Sequence, residues 1–111
     1  MLKLRGNQLP KSSKYLYDIE GKVAKQELKR VWNDSETKKE ALSKLEKINN
    51  RELTPRNQKS LKGFKNLKGY KFNKIRIILN PGQKSAPDTI VGIVKRSRLA
   101  NLMKTFKNKF D

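Results

Sequence analysis

The run Thr89-Ile90-Val91-Gly92-Ile93-Val94-Lys95 constrains the fold more than any other part of the chain. It is almost continuously apolar, rich in β-branched residues and short, the pattern of a central strand covered on both faces. Such a strand needs partners at its edges and layers above and below. It also runs directly into Lys95-Arg96-Ser97-Arg98, so a buried strand delivers a cation cluster to its exit. The segment before it supplies partners: Tyr70, Phe72, Ile75, Ile77, Ile78 and Leu79 suit strands, with Asn73 a turn or bulge between two of them. Period-two alternation puts Ile75 and Ile77 on one face and Lys74, Arg76 and Ile78 on the other. Pro81 and Gly82 close this strand, and a polar loop leads to Thr89.

Residues 1–13 form a polar lead-in without periodicity, and 14–19 (KYLYDI) suit a short strand, although Asp18 and Glu20 equally open a helix. From about Glu20 to Asn33 apolar residues recur at three- and four-residue steps through Leu28, Val31 and Trp32. Asn33 stops this helix, and Asp34 or Ser35 caps a second that runs to about Asn50 with Ala41, Leu42, Leu45 and Ile48 on one face. Glu36 with Lys39, and Glu40 with Lys44, have the spacing of small surface pairs. This helical hairpin over residues 20–50 reads as scaffold, with Trp32 in the core. Residues 51–69 break the period. There Lys59, Lys62, Lys65 and Lys68, continued by Lys71 and Lys74, recur every third residue, which neither a strand nor a helix keeps on one face, so they read as a charged loop entering a strand. Sheet is expected over 70–98, and a last helix over 99–110 with Leu99, Leu102, Met103, Phe106 and Phe110 as its stripe and Ser97 as its N-cap. The expectation is a single α+β domain over 1–111: an N-terminal helical hairpin on a small, mainly antiparallel sheet of three to four strands, with a short C-terminal helix.

The 111 residues carry 28 Lys and Arg against 10 Asp and Glu, a formal charge of +18. Residues 1–52 contribute a net +5 and residues 53–111 a net +13, the latter holding only Asp88 and Asp111 as acids. A charge of this size implies a polyanionic partner. No Cys and no His occur, which excludes disulfides, thiolate or imidazole metal sites, cysteine nucleophiles and His-based acid-base catalysis. No metal or cofactor is expected, and no apolar run is long enough for a membrane span or a signal peptide.

Helix, helix, a Leu-Lys-Gly loop, a Tyr-Lys strand (LKGY), an Arg-bearing strand (KIRIIL), an apolar strand ending in VKRSR and a short helix together resemble the RelE/ParE toxins, within the barnase-like microbial ribonucleases. The resemblance covers about residues 20–111. It implies a cationic active site on the concave sheet face and a tRNA-directed or ribosome-associated nuclease. Position by position, Lys71 matches the lysine strand, Arg76 the arginine strand, and Lys95 and Arg96 the cluster closing the last strand; Lys74 takes a second lysine position. The chain departs from the pattern in the last helix, where the family's aromatic or His falls near Leu102 or Met103.

The chemistry also follows from the residues. RNA cleaves itself when its 2′-hydroxyl is deprotonated, aligned with the adjacent phosphate, and the charge on the phosphorane is neutralised. Arginines hold phosphate oxygens in pairs, and a lysine crowded by cations has its neutral form favoured. The expected catalytic groups are Arg76 and Arg96 on the phosphate and Lys71 or Lys74 as base. Lys59, Lys62, Lys65, Lys68, Tyr70, Lys95 and Arg98 are the expected RNA contacts. This reading gives a toxin that leaves a 2′,3′-cyclic phosphate on tRNA or ribosome-bound mRNA. It would act in the cytoplasm, either as a stand-alone toxin or as the C-terminal part of a larger secreted one, with an acidic antitoxin or immunity protein to restrain it. Two other readings stand beside it: a non-catalytic RNA- or DNA-binding module, and a ParE-like toxin with a protein target such as gyrase, which the altered last helix favours.

Overall fold

The structure, a computed structural model, describes residues 15–49, 58–60, 67–80 and 88–110. The lead-in at 1–13 and most of the lysine loop, Lys62 and Lys65 included, lie outside these residues. The chain runs β1 (Tyr15–Tyr17), α1 (Lys22–Trp32), α2 (Ser35–Asn49), β2 (Gln58–Ser60), β3 (Lys68–Lys71), β4 (Ile75–Asn80), β5 (Asp88–Lys95), a 3-10 turn (Arg96–Arg98) and α3 (Leu99–Phe110). It is an α+β fold: a helical hairpin on a mainly antiparallel sheet, with a short C-terminal helix. The sheet order is β1-β5-β4-β3-β2, so the apolar run at Thr89–Lys95 does sit between two neighbours. Only the β1–β5 pair is parallel; β5–β4, β4–β3 and β3–β2 are antiparallel.

Two three-residue strands, β1 and β2, extend the expected sheet to five strands. β1 falls within the KYLYDI segment. β2, with sequence Gln-Lys-Ser, lies where a loop is expected; it has no β-branched or aromatic residue and is a strand through its pairing with β3 alone.

Each face of the sheet has its own core. On the hairpin face, Ile75, Ile77, Leu79, Ile90 and Ile93 pack with Leu28 and Val31 of α1 and Ala41 and Leu45 of α2, with Trp32 partly buried against them. On the opposite face, Ile78, Val91 and Val94 pack with Leu102 and Phe106 of α3, together with Ala24 and Leu67. α1 reaches both cores and so flanks β5. A β-bulge accounts for the uneven apolar run of β5. Ile78 pairs with Gly92 but Leu79 pairs with Ile90, so Val91 is an extra residue, and the hairpin-facing isoleucines 90 and 93 stand three apart instead of two.

Local chemistry sets the helix junctions. Gly21 has φ 93° before α1, a conformation L side chains disfavour. Asp34 caps α2 as expected, its Oδ1 accepting the Glu36 and Thr37 N–H groups at 3.0 and 3.4 Å. The buried Thr37 hydroxyl donates to the Val31 carbonyl at 2.8 Å and so ties α2 to the end of α1. Ser97 does not begin an α-helix; it sits within the 3-10 turn that precedes α3.

Gly92 lets α3 approach the sheet. A Cβ there would meet Leu102 Cδ2 at 2.8 Å and Phe106 Cζ at 3.2 Å, both on fully buried side chains with little room to move. Gly92→Val is therefore expected to cost about 1–3 kcal/mol, the usual penalty of overpacking. It would be read as a lower denaturant midpoint, and an unchanged midpoint would contradict this docking of α3.

Candidate nucleic-acid interface

The cations at the β3–β4 turn and at the end of β5 are divided by the sheet into two groups. Tyr70 pairs with Ile77, and Lys95 with Ile75, so both belong to the hairpin face. Lys71 pairs directly with Arg76, and Arg76 with Val94, so these two cations belong to the α3 face. Cross-strand neighbours on one face lie about 5 Å apart at Cβ, and like charges there repel.

The hairpin-face group is neutralised by the start of α2. Lys95 Nζ donates to Asp34 Oδ2 at 3.1 Å, and Lys74 Nζ is hydrogen-bonded to Glu36 Oε2. Lys74 therefore stands in the turn, outside the face expected to hold it with Arg76. Its hydrogen bond to Glu36 raises its pKa against the opposing effect of desolvation, and the nearby Glu36, Asp34 and Glu40 charges add to the rise. A lysine held protonated in this way is ill suited to act as a base. Glu36 and Glu40 are engaged with the turn, not simply in surface pairs along α2.

Arg98 is tied down from the other side. Its Nε donates to both oxygens of Glu27, at 2.6 and 2.8 Å, and Glu27 is only 1 % exposed. Asn101 adds a bond at 3.2 Å and Arg30 an ion pair at 3.3 Å. Arg98 thus anchors the 3-10 turn to α1. Tyr70 is turned into the hairpin-face core, where it stacks on Phe72 at 5.9 Å between ring centroids. It is not presented as a platform for a base. Lys68 pairs with Leu79 and is half-buried on that same face; Lys59 pairs with Gly69.

Lys71, Arg76 and Arg96 remain, and the turn at 72–75 brings them together. Arg76 Nη1 donates to the Phe72 and Ile75 carbonyls at 2.6 and 2.9 Å. The Arg96 backbone N–H donates to the Lys74 carbonyl at 2.8 Å, fixing the exit of β5 against the same turn. From the hairpin side, Glu40 Oε1 accepts the Lys74 and Ile75 N–H groups at 2.7 and 3.1 Å. The guanidinium of Arg76 is partly desolvated, and this burial, followed by the neighbouring Arg96 charge, lowers its pKa, with Glu40 acting the other way. Among the described residues, none of Lys71, Arg76 and Arg96 has a carboxylate in direct contact. The result is a cation cluster with free guanidinium and ammonium donors, a geometry suited to phosphate oxygens.

Leu102 is buried in the α3-face core and Met103 is half-buried against it, so the two positions where the resemblance expects an aromatic or His carry neither. The described residues hold no group of three metal-ligating side chains, and no described helix is long and apolar enough to cross a membrane. Comparison with protein-family models, with curated proteins and with solved structures gives no match for this chain.

The neutralising contacts have opposite pH signatures. The Asp34 carboxyl is held below its ordinary pKa, first by the Lys95 hydrogen bond and then by the Glu36 backbone N–H. Its stabilisation is complete above the ordinary carboxylate range and is lost as pH falls through the lowered value. Lys74 is raised, so its contribution is present below the ordinary lysine value and lost as pH rises through the raised one. Asp34→Asn, which keeps the cap, is expected to flatten the acid limb of a Tm–pH profile below about pH 4 and leave the alkaline limb alone; Glu36→Gln should flatten the limb above about pH 10. Arg98→Ala, which removes two charge-assisted bonds from a buried carboxylate, is expected to cost about 1.5–3 kcal/mol by chemical denaturation.

Proposed function

We propose that the chain is a metal-independent ribonuclease whose active groups are Lys71, Arg76 and Arg96. The observation that carries this reading is that Arg76, paired across the strands with Lys71 on the α3 face, also feels the Arg96 charge from the end of β5, and that none of the three has a carboxylate in direct contact among the described residues. Arg76 and Arg96 hold the non-bridging oxygens of the scissile phosphate and neutralise the charge that gathers there as the phosphorane forms. Lys71 serves as the general base and takes the 2′-hydroxyl proton. The 2′-oxygen then attacks phosphorus and the bond to the 5′-oxygen breaks. The leaving oxygen takes a proton from solvent, and the products are a 2′,3′-cyclic phosphate and a 5′-hydroxyl end.

The reading agrees with the resemblance to RelE/ParE toxins at Lys71, Arg76 and Arg96, and departs from it at Lys74 and Lys95, which are engaged by Glu36 and Asp34. A toxin of this kind needs an acidic antitoxin or immunity protein, and the exposed cluster offers such a protein an electrostatically favoured landing site. A non-catalytic RNA-binding role is the second reading. It is favoured by the one observation that Leu102 and Met103, at the positions where the resemblance expects an aromatic or His, belong to the apolar core under α3.

The test is digestion of total RNA, purified tRNA and translating ribosomes in EDTA. Discrete fragments ending in 2′,3′-cyclic phosphate are expected from the wild-type protein, from whichever substrate is the target. Arg96→Ala is expected to lower the rate by about 10²–10³-fold, as loss of a transition-state charge donor does. Intact RNA bound in a salt-dependent manner would overturn the enzyme and leave the binding module; neither cleavage nor binding would point to a protein target.

A further inference from the structure

Helix α1 presents one sign of charge to solvent. Its exposed positions are Lys22, Lys25, Gln26, Lys29 and Arg30, and its single carboxylate, Glu27, is buried. α2, of similar exposure, mixes signs through Glu36, Lys38, Lys39, Glu46 and Lys47. Mixed signs serve solubility; a one-sign face makes a field that attracts a polyanion. The face is joined to the cation cluster by a single buried group. Glu27 pairs with Arg30, on α1, and with Arg98, in the turn that also holds Arg96. One buried negative charge thus lies between two guanidiniums that are 54 % and 37 % exposed, and positive charge continues from Lys22 towards Arg96.

We infer that the solvent face of α1, through Lys22, Lys25, Lys29 and Arg30, is a second phosphate-contacting surface, over which an RNA backbone continues beyond the phosphate held by the Lys71–Arg76–Arg96 cluster. This rests on the ribonuclease reading and extends it to the class of substrate. Lys22 and Lys29 are about 10 Å apart along the helix axis, a reach that engages more than one phosphate. The substrate is therefore a long or folded RNA whose flanking backbone supplies affinity, not a short oligonucleotide recognised only at the cleavage site.

The test compares Lys22→Gln/Lys25→Gln/Lys29→Gln with a control of equal charge loss on the mixed face, Lys38→Gln/Lys39→Gln/Lys47→Gln. All six positions are exposed, and unchanged melting confirms intact folds. The probe is a labelled hairpin RNA with 2′-O-methyl groups, which lacks the attacking hydroxyl. Its affinity is measured across a salt series beside cleavage of natural RNA at saturation. The α1 variant is expected to reduce the slope of log affinity against log salt by about 2–3, leaving the saturated cleavage rate and the cutting of short oligonucleotides unchanged. A wild-type slope in the α1 variant, or an equal reduction in the α2 control, would overturn the inference. If it fails while wild-type protein cleaves and Arg96→Ala does not, the ribonuclease reading stands without it. If wild-type protein neither cleaves nor binds RNA, both fall together.

Discussion

The carboxylate of Glu40 seated on the β3–β4 turn is the contact on which the arrangement of this molecule depends. A tight turn in a hairpin leaves backbone N–H and C=O groups that must find partners once helices cover the sheet. Here the N–H groups of Lys74 and Ile75 point to α2 and meet Glu40. The carbonyls of Phe72, Lys74 and Ile75 instead accept from Arg76 and from the backbone of Arg96. One four-residue turn is therefore held from one side by a negative charge and in turn holds two cation-bearing residues. The pairing of Lys71 opposite Arg76 is unfavourable taken alone. It persists because the turn between them is also fixed by Glu40 and by the Arg96 backbone, which do not belong to the pair.

The pleat of the sheet then decides which cations are left available. Lys95 and Arg96 are adjacent in the chain, yet Lys95 lies over Ile75 on the hairpin face and meets Asp34, whereas Arg96 begins the 3-10 turn and approaches Arg76. Lys74 and Lys71 divide in the same way around the turn. The carboxylates that hold Lys95, Lys74 and the turn, those of Asp34, Glu36 and Glu40, lie at the start of α2 or just before it and make their direct contacts on the hairpin side. The helical hairpin is thus more than a scaffold for the sheet. Its first acidic turn cancels charge on one face and leaves it uncancelled on the other.

That division could not be read from the chain, although the elements themselves could. The β-branched runs at Ile75–Leu79 and Thr89–Val94, the spacing of Leu28, Val31, Ala41 and Leu45, and the Asp34 cap all carry their structure in neighbouring residues, and the architecture follows from them. The pairs that sort the cations join residues 34 to 71 positions apart: Glu40 to the turn, Asp34 to Lys95, Glu27 to Arg98. Local spacing instead suggests Glu36 with Lys39 and Glu40 with Lys44. Tyr70 looks like a stacking platform beside lysines, but period-two geometry places it with Ile77 in the core. β2 carries no local signal, and the bulge at Val91 hides the alternation of β5 because both sides of that strand are buried. Of the site, Lys71, Arg76 and Arg96 are recoverable from the sequence as cations near strand ends. Their separation from Lys74, Lys95 and Arg98 requires the fold.

Charge left uncancelled in this way has an energetic meaning. Arg76 is partly desolvated beside the Arg96 charge and stands opposite Lys71 across the strands, so the free protein carries a repulsion that neither core relieves. Solvent and salt screen the exposed members, but the partly buried guanidinium is screened least. An anion placed among the three removes that repulsion and gains charge-assisted hydrogen bonds at the same time, so its binding is favoured twice. A carboxylate from within the chain would do the same, and the fold supplies such carboxylates to Lys74, Lys95 and Arg98 only a few residues away. Of the three cations that are spared, Lys71 faces Arg76 across the strands, and Arg76 and Arg96 are held to the carbonyls of the turn by the Arg76 Nη1 and the Arg96 backbone N–H, which leaves the remaining guanidinium donors to a bound phosphate.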